Sequence, residues 1–433
     1  VAVTVYAGGL VFQQVFGIKE LWGIDFFWIA AIGLVVLTAL YTIFGGMKSV
    51  LYTSVLQTPI LLLGSLIILV LGFKELGGWD EMMRVCGAVT VNDYGDTMTN
   101  LIRSNDDANF PWLGALIGSA IIGFWYWCTD QFIVQRVLSG KNEMEARRGT
   151  IFGAYLKLLP VFLFLIPGMI AFALHQKYIG AGGEGFLPML ENGTANADAA
   201  FPTLVAKLLP AGVKGLVVCG ILAALMSSLA SLFNSSAMLF TIDFYKRFRP
   251  QTSEKKLVGI GQVATVVIVI LGILWIPIMR SVGDVLYTYL QDVQSVLAPG
   301  IAAAFLLGIC WKRTSAQGGM WGLISGMVIG LTRLGAKVYY SNAGEVADST
   351  FKYLFYDMNW LFFCGWMFLF CIIVVIVVSL ATEAPTAEKI QGLVFGTATK
   401  EQKASTRASW NHWDIIHTVI ILAITGAFYW YFW

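Results

Sequence analysis

The sequence contains few charged residues. Only 12% of its 433 residues are Asp, Glu, Lys or Arg, against about 25% in an ordinary soluble domain. Hydrophobic residues make up 58%, and the net charge of +2 gives no indication of nucleic-acid binding. The composition excludes a soluble globular protein and predicts an all-α polytopic membrane protein in contact with a lipid bilayer.

Cysteine pairs and a leader sequence are also missing. The six cysteines are scattered and none has C-x-x-C spacing, so neither a metal site nor a disulfide framework is indicated. The chain opens at Val1 in apolar sequence, without a methionine, a charged n-region or a cleavage site. We interpret it as a chain whose natural beginning is missing.

Long apolar runs are abundant. A membrane helix needs about 20 apolar residues, and about eleven segments fit that template: 1–16, 25–44, 50–73, 112–134, 149–174, 207–240, 257–280, 284–310, 319–340, 358–381 and 412–433. The segment 207–240 is too long for a straight span, so we expect it to start in the interface or to tilt.

The loops between these segments carry unequal positive charge. Under strict alternation, the loops on one side hold 16 Lys and Arg residues and those on the other side hold 6. Because basic loops stay in the cytoplasm, residue 1 is expected inside and Trp433 outside, in the plasma membrane (the inner membrane if bacterial). The long loops 74–111 and 175–206 then lie outside, where Asn192 fits a glycosylation acceptor, and we expect them to contain short lid-like elements.

Lys157 lies inside the apolar run 149–174. A lysine at the centre of a membrane helix costs about 2.5–3.5 kcal/mol on insertion scales. A lysine that snorkels from a helix end is the alternative, but eight residues of the run precede Lys157. We therefore predict that it faces a watery cavity and contacts a substrate.

Three further groups of polar or aromatic residues interrupt the apolar runs. Tyr126 and Trp127 follow Gly123 and precede a polar patch, which suits stacking on a sugar ring, although an interfacial aromatic belt is the alternative. Gln291 and Asp292 precede Pro299-Gly300, which suggests an interrupted helix that builds a site; the alternative is that both meet water near the outer surface.

The third group is Ala224, Ser227 and Ser228, which lie in a run of small and hydroxyl residues. Small hydroxyl residues are usually packing aids between membrane helices. Hydroxyls and backbone carbonyls are nevertheless suitable ligands for Na⁺, a hard cation that prefers oxygen. The residues alone leave both interpretations open.

Taken together and in this order, these stretches resemble the sodium/solute symporter family, and within it the sodium/glucose cotransporters. The matching stretches are 126–136, 155–158 with Pro167-Gly168, 224–234, 240–246, and Gln291 with 298–300 and 305–313. The resemblance runs to about residue 340.

The resemblance implies a single membrane transport domain over 1–433 with a LeuT-type fold, in which two five-helix repeats run with opposite topology. Segment 1–73 would hold the last three helices of the first repeat, 112–310 the second repeat, and 319–433 the peripheral helices. The first two helices of the first repeat are absent from this sequence, and a protein that lacked them would not be expected to transport.

The resemblance also implies roles for individual residues. Tyr126 would stack on the sugar as the inner-gate aromatic, with Trp127 beside it. Lys157 and Gln291 would hydrogen-bond sugar hydroxyls. The sodium site would be lined by three residues of the hydroxyl-rich run, through the Ala224 carbonyl and the hydroxyls of Ser227 and Ser228.

Three positions depart from relatives. Gly123 stands where sugar-transporting relatives can have an asparagine, so one sugar hydrogen bond is missing. Ser54 and Ala230 stand where relatives carry an aspartate and a threonine linked to a second sodium site, which suggests one Na⁺ per sugar.

The function that this implies is Na⁺-driven import of a hexose or related polyol by alternating access, with no enzymatic activity and no organic cofactor. The alternatives are a non-transporting sodium and sugar sensor on the same scaffold and a proton-pumping subunit of a respiratory complex. Such a subunit needs a chain of ionisable residues across helices, whereas Lys157 is nearly alone at mid-depth. Nothing in the sequence indicates the oligomeric state.

Overall fold

The computed structural model describes residues 1–190, 193–280, 286–343 and 347–432, so Asn192, the predicted loop 281–283 and Trp433 lie outside it. The longer helices are Ala2–Phe16, Phe26–Leu76, Trp79–Gly87, Trp112–Cys128, Gln131–Leu138, Glu143–Pro160, Ile166–Gly180, Ala200–Leu208, Ala211–Met238, Glu254–Arg280, Leu286–Cys310, Ala316–Asn342, Trp360–Ala381, Lys400–Ala408 and His412–Tyr431. Short helices are Lys246–Phe248, Thr350–Lys352 and Ala387–Ile390, with one 3₁₀ turn at Ala197–Ala199 and π-helical turns at Val161–Leu165, Leu239–Tyr245 and Tyr353–Asp357. The described strands are Glu20–Leu21 and Ile24–Asp25, an antiparallel pair.

The predicted all-α class is confirmed. Within the described residues, seven helical segments are long and apolar enough to cross a membrane: Gln57–Leu76, Glu143–Gly180, Ala211–Phe248, Glu254–Pro277, Tyr289–Cys310, Trp360–Ala381 and His412–Tyr431. Trp112–Cys128 and Gln131–Leu138 would form an eighth span, bent by 47°. Ala2–Phe16 and Phe26–Leu40 are shorter apolar helices. The sequence-based count of about eleven spans stays a prediction.

One predicted boundary is wrong. Segments 25–44 and 50–73, expected as separate helices, belong to the continuous helix Phe26–Leu76. The expected loop 45–49 contains two glycines but no proline. A glycine weakens a helix by about 1 kcal/mol, whereas a proline costs about 3 kcal/mol, so this stretch can remain helical.

The long loops contain short elements, as predicted. Helix Trp79–Gly87 lies within 74–111, and the 3₁₀ turn Ala197–Ala199 lies within 175–206. The segment 207–240, too long for one straight span, is divided between two helices. One helix ends at Leu208, and Ala211–Met238 begins after Pro210. Pro210 is the N-cap residue of this helix, and proline is tolerated there because the amides at the start of a helix have no partner within it.

The chain divides into two compact units. The first comprises 1–89, 97–99 and 157–286, and the second comprises 90–96, 100–156 and 287–433. The predicted division into two repeats and peripheral helices stays a prediction.

In the first unit, helices Phe26–Leu76 and Ala211–Met238 approach closely through two glycines. A Cβ on Gly64 would lie 2.5 Å from Val217 Cγ2, and a Cβ on Gly220 would lie 3.0 Å from Ile60 Cγ2. Small residues at such crossings let membrane helices pack backbone against backbone. These contacts at Gly64 and Gly220 fix the register in which the two helices pack along the rest of their interface.

In the second unit, helix Ala316–Asn342 carries glycines every four residues along one side. A Cβ on Gly322 would collide with Val375, and a Cβ on Gly326 would lie 3.2 Å from Cys371 Sγ. Both neighbours belong to helix Trp360–Ala381. The spacing places the glycines on one helix face, which is therefore a close-packing surface.

The last described helix, His412–Tyr431, is held by few protein contacts. Near its start, the Tyr155 hydroxyl lies 3.0 Å from His417 Nδ1. Further along, Leu422 and Trp430 expose 65% and 80% of their surface. Most of this helix therefore presents apolar side chains outward.

Candidate functional site

The predicted sodium ligands lie on one helix of the first unit. Ala224, Ser227 and Ser228 follow one another at i, i+3 and i+4 on Ala211–Met238, a spacing that places them on one face. Ser227 is buried and the other two are partly buried. The hydroxyls of Ser227 and Ser228 therefore lie on the same side of the helix as Ala224.

A second helix adds a hydroxyl to this face. Ser54 Oγ, on Phe26–Leu76, lies 2.6 Å from Ser227 Oγ. Ser231 Oγ donates to the Ser227 carbonyl at 3.0 Å. Sequence reasoning noted Ser54 only as a departure from relatives, but it is a direct neighbour of a predicted sodium ligand.

The aromatic pair lies at the end of a helix in the second unit. Tyr126 and Trp127 belong to the last turn of Trp112–Cys128, and their ring centroids lie 5.3 Å apart at an interplanar angle of 89°. Trp127 exposes 48% of its surface. The next helix, Gln131–Leu138, continues at a bend of 47°.

Local hydrogen bonds explain the bend. Thr129 Oγ1 donates to the Trp125 carbonyl at 2.7 Å, which closes the first helix. Asp130 Oδ1 accepts the Phe132 N–H at 3.1 Å and caps the second helix. The interruption that the sequence predicted at Pro299-Gly300 is wrong, because Leu286–Cys310 is continuous there; the broken helix is the one that carries Tyr126.

Gln291 lies one turn after Tyr287 on Leu286–Cys310. Its Nε2 donates to the Tyr287 hydroxyl at 3.0 Å. Ile121 and Ile122 share a core cluster with Ala298 and Ala302, so the helices that carry Tyr126 and Gln291 belong to one packed group. The i, i+4 spacing of a tyrosine and a glutamine could have revealed this pair in the sequence.

The alternative that Asp292 meets water is wrong. Asp292 is buried, and its Oδ2 lies 2.6 Å from Lys337 Nζ. Arg333, also buried, contributes a second cation from the same helix, Ala316–Asn342. Sequence reasoning missed both cations, although a basic pair at i, i+4 inside an apolar run was a visible signal.

Lys157 lies in the last turn of Glu143–Pro160, directly before the π-helical turn Val161–Leu165. Its side chain is exposed within the described chain. Lys157 belongs to the first unit, whereas Tyr126, Trp127 and Gln291 belong to the second. The assignment of these four residues to one sugar site therefore stays a prediction.

A bent helix with aromatic and polar side chains at the bend, and a hydroxyl-rich face on another helix, are features of secondary transporters. The sequence profile of the sodium:solute symporter family matches residues 1–326. The chain belongs to this family.

Curated relatives agree. The chain is 35% identical over 408 residues to human sodium/myo-inositol cotransporter 2, covering 92% of this chain and 59% of the relative. It is 34% identical over 459 residues to a sodium/mannose cotransporter of Bos taurus, covering 100% of this chain and 75% of the relative. It is 35% identical over 408 residues to sodium/glucose cotransporter 4 of Mus musculus, covering 92% of this chain and 58% of the relative. The chain thus spans about three fifths of the length of the first of these proteins.

A solved structure confirms the fold. The chain matches a Na⁺-coupled sialic acid symporter, solved in a substrate-bound outward-open state, with a TM-score of 0.63 and 20% identity. The match covers 89% of this chain and 74% of that one. This confirms the predicted LeuT-type fold, and the relatives named above are cotransporters, not enzymes.

Proposed function

We propose that the full-length protein couples inward movement of Na⁺ to import of a hexose or related polyol. The observation that carries the proposal is the similarity, at 34–35% identity over more than nine tenths of this chain, to cotransporters of myo-inositol, mannose and glucose. The same relatives give the sensor alternative no support, and family membership removes the respiratory-subunit alternative.

Sodium would bind at the face of Ala224, Ser227 and Ser228. A hard cation is bound by about six oxygen ligands, some of which water can supply. These residues would offer one carbonyl and two hydroxyls. Position 54, whose hydroxyl lies 2.6 Å from Ser227 Oγ, is a serine where relatives with a second sodium site carry an aspartate, so one Na⁺ per sugar is the proposed stoichiometry.

The sugar would stack on Tyr126, with Trp127 beside it, and Lys157 and Gln291 would bond its hydroxyls. An aromatic ring covers the apolar face of a sugar, while charged and amide donors satisfy its hydroxyls. The sugar would then lie beside a bend in the helix, as substrates do at the broken helices of transporter sites.

Coupling requires that Na⁺ and sugar favour the same conformational states. The membrane potential adds about 2.3 kcal/mol per charge per 100 mV. Sodium would favour the outward-open state, and its release inside would free the sugar past Tyr126. Residue 1 would lie on the cytoplasmic side and the C-terminus outside, in the plasma membrane or, in a bacterium, the inner membrane.

The test is uptake by the full-length protein in proteoliposomes. A panel of myo-inositol, mannose, glucose and galactose is offered with an inward Na⁺ gradient, and with K⁺ in its place as control. We expect at least one sugar to accumulate only with Na⁺. Uptake that is equal in K⁺ would refute sodium coupling, and a Na⁺ current without sugar accumulation would support the sensor.

A further inference from the structure

A buried cluster of charges joins two helices of the second unit. Asp292 lies on Leu286–Cys310, while Arg333 and Lys337 lie on Ala316–Asn342. Asp292 Oδ2 is 2.6 Å from Lys337 Nζ, and Asp292 Oδ1 is 3.6 Å from Arg333 Nη2. Arg333 is only 1% exposed, so the Asp292 carboxylate pairs with one fully buried cation and one partly buried cation.

Arg333 is also tied to a third segment. Its Nη2 donates to the Met358 carbonyl at 2.7 Å and its Nη1 to the Leu354 carbonyl at 3.4 Å. Its guanidinium carbon lies 4.1 Å from the centroid of the Phe363 ring, within cation–π distance. Arg333 is therefore held from several directions, and Asp292 is held by Arg333 and Lys337.

The cluster is poorly suited to stabilising the fold. Asp292 Oδ1 and Arg333 Nε are buried without a hydrogen-bond partner among the described residues. A buried ion pair with unsatisfied atoms often contributes less stability than apolar residues of the same volume. In some proteins such groups specify one arrangement rather than add stability, and the arrangement here would be the rotation and register of helix Leu286–Cys310.

Glycines bring the two helices into backbone contact beside the cluster. A Cβ on Gly326 would lie 2.9 Å from Gly300 Cα, and a Cβ on Gly330 would collide with the Val296 carbonyl. Residue 300 faces 326, and residue 292 faces 337, so the numbering falls along one helix as it rises along the other. The two helices therefore pack as an antiparallel pair. The glycines allow the two helices to approach closely, and the ion pairs of Asp292 with Lys337 and Arg333 link the same two helices beside them.

Gln291 is the neighbour of Asp292 in sequence. A binding group must be held within about 0.5 Å of its productive position by the residues behind it. Any rotation that releases Asp292 from Lys337 would move the Gln291 amide, and with it the Tyr287 hydroxyl to which that amide donates.

We propose that Asp292 is a positioning residue for substrate binding, anchored by Lys337 and Arg333, which fixes the orientation of Gln291. This rests on the proposed function, in which Gln291 bonds the sugar. The sequence analysis expected helix Ala316–Asn342 to be peripheral. Under this proposal, the helix contributes to sugar affinity through Lys337 and Arg333.

The experiment measures sugar KM and the sodium concentration for half-maximal uptake in proteoliposomes of the full-length protein. We expect Lys337→Met to raise sugar KM about tenfold, equivalent to about 1.4 kcal/mol, with sodium dependence unchanged. Lys337→Arg, which keeps the charge, should restore KM close to wild type. Asp292→Asn should raise KM as well, and its effect should not add to that of Lys337→Met, because both break one interaction.

The matched control is Arg313→Met. Arg313 precedes the same helix at its other end, and its Nη2 donates to the Thr382 carbonyl at 2.6 Å, so its loss should leave KM unchanged. An unchanged KM in Lys337→Met, with a lower yield of folded protein alone, would assign the cluster a structural role and overturn the proposal. So would additive effects of Asp292→Asn and Lys337→Met. If the wild type transports none of the sugars, the proposed function fails and this inference falls with it. If the wild type transports a sugar but Lys337→Met leaves its KM unchanged, the inference fails and the proposed function stands.

Discussion

The hydroxyls of Ser54 and Ser227 lie 2.6 Å apart, on two different helices. Ser227 is a proposed sodium ligand, while Ser54 is its hydrogen-bond neighbour. The pair links the sodium face of Ala211–Met238 directly to helix Phe26–Leu76.

Ser227→Ala should therefore raise the sodium concentration for half-maximal uptake more than Ser54→Ala does. The first removes a ligand, for which we expect about a tenfold shift, or about 1.4 kcal/mol. The second removes one hydrogen bond worth about 1 kcal/mol or less. Sodium titrations of uptake measure both. Ser235→Ala is the control, because Ser235 Oγ donates to Leu232 O of its own helix; an equal shift in all three variants would contradict the site.

Lys157→Ala should weaken sugar binding and leave sodium dependence nearly unchanged. A hydrogen bond from a charged donor is worth about 1.5–3 kcal/mol, which corresponds to a rise in sugar KM of roughly 10- to 100-fold. Uptake kinetics at saturating Na⁺ provide the measurement.

The control is Lys177→Ala, in a later part of the same membrane segment. Lys177 Nζ donates to the carbonyls of Glu75 and Leu76 at 3.3 and 3.1 Å, so it serves helix packing. Normal sugar KM in Lys157→Ala would remove Lys157 from the site.

Acid should loosen the loop that precedes helix Trp112–Cys128. Burial tends to raise the pKa of Asp107, but N–H groups of Phe110 and Asn109, the Asn92 amide and Arg103 outweigh it, so that the pKa of Asp107 lies below its ordinary value. A carboxyl group with a lowered folded-state pKa contributes stability above its unfolded pKa of about 3.9. That stability is lost as the pH falls through the lower, folded value.

Pepsin cleavage of the loop between about pH 5 and about pH 2 tests this expectation, because stability held by a carboxylate with a lowered pKa is lost over roughly this range. Asp107→Asn should allow cleavage already at the upper end of the range. Its exposed neighbour provides the comparison, and Asp106→Asn should behave like the wild type. Cleavage of the wild type that does not change with pH, after correction for pepsin activity, would count against the role of Asp107.

Gly330→Ala should destabilise the second unit. The added Cβ would meet the Val296 carbonyl, and overpacking of this kind costs about 1–3 kcal/mol. Gly335→Ala lies on the same helix with open space around its Cα, so alanine should be tolerated there or slightly stabilising. Apparent thermal unfolding midpoints in detergent compare the two; equal midpoints would disprove the close contact.

The sequence predicted the helical class and most helix positions because long apolar runs admit few other structures in a membrane. It placed the helix interruption wrongly because Pro299-Gly300 was interpreted as a break. Gly300 instead provides close contact with Gly326, and tertiary packing keeps the proline-containing helix continuous. The actual break follows from Thr129 and Asp130, whose side chains bond their own backbone, a signal of a helix end that is visible in sequence.

The sequence singles out residues whose chemistry is unusual for their surroundings, and their roles in the site stay predictions, but it does not show which residues of different helices meet. Lys157 and Tyr126 stand out because of their own chemistry. Ser54 is separated from Ser227 by 173 positions, and no periodicity in one helix indicates which residue of another it meets. The partners of Asp292 were missed for the same reason, because ion pairs between helices depend on the register in which the helices pack.

The exposed last helix has a practical consequence. Since few of the described residues pack on His412–Tyr431, we expect acyl chains to cover the apolar side chains that it exposes. Leu422 and Trp430 would be the first side chains to sense a change of amphiphile. Extraction into a short-chain detergent should therefore disturb this end of the molecule first, whereas a nanodisc should preserve it.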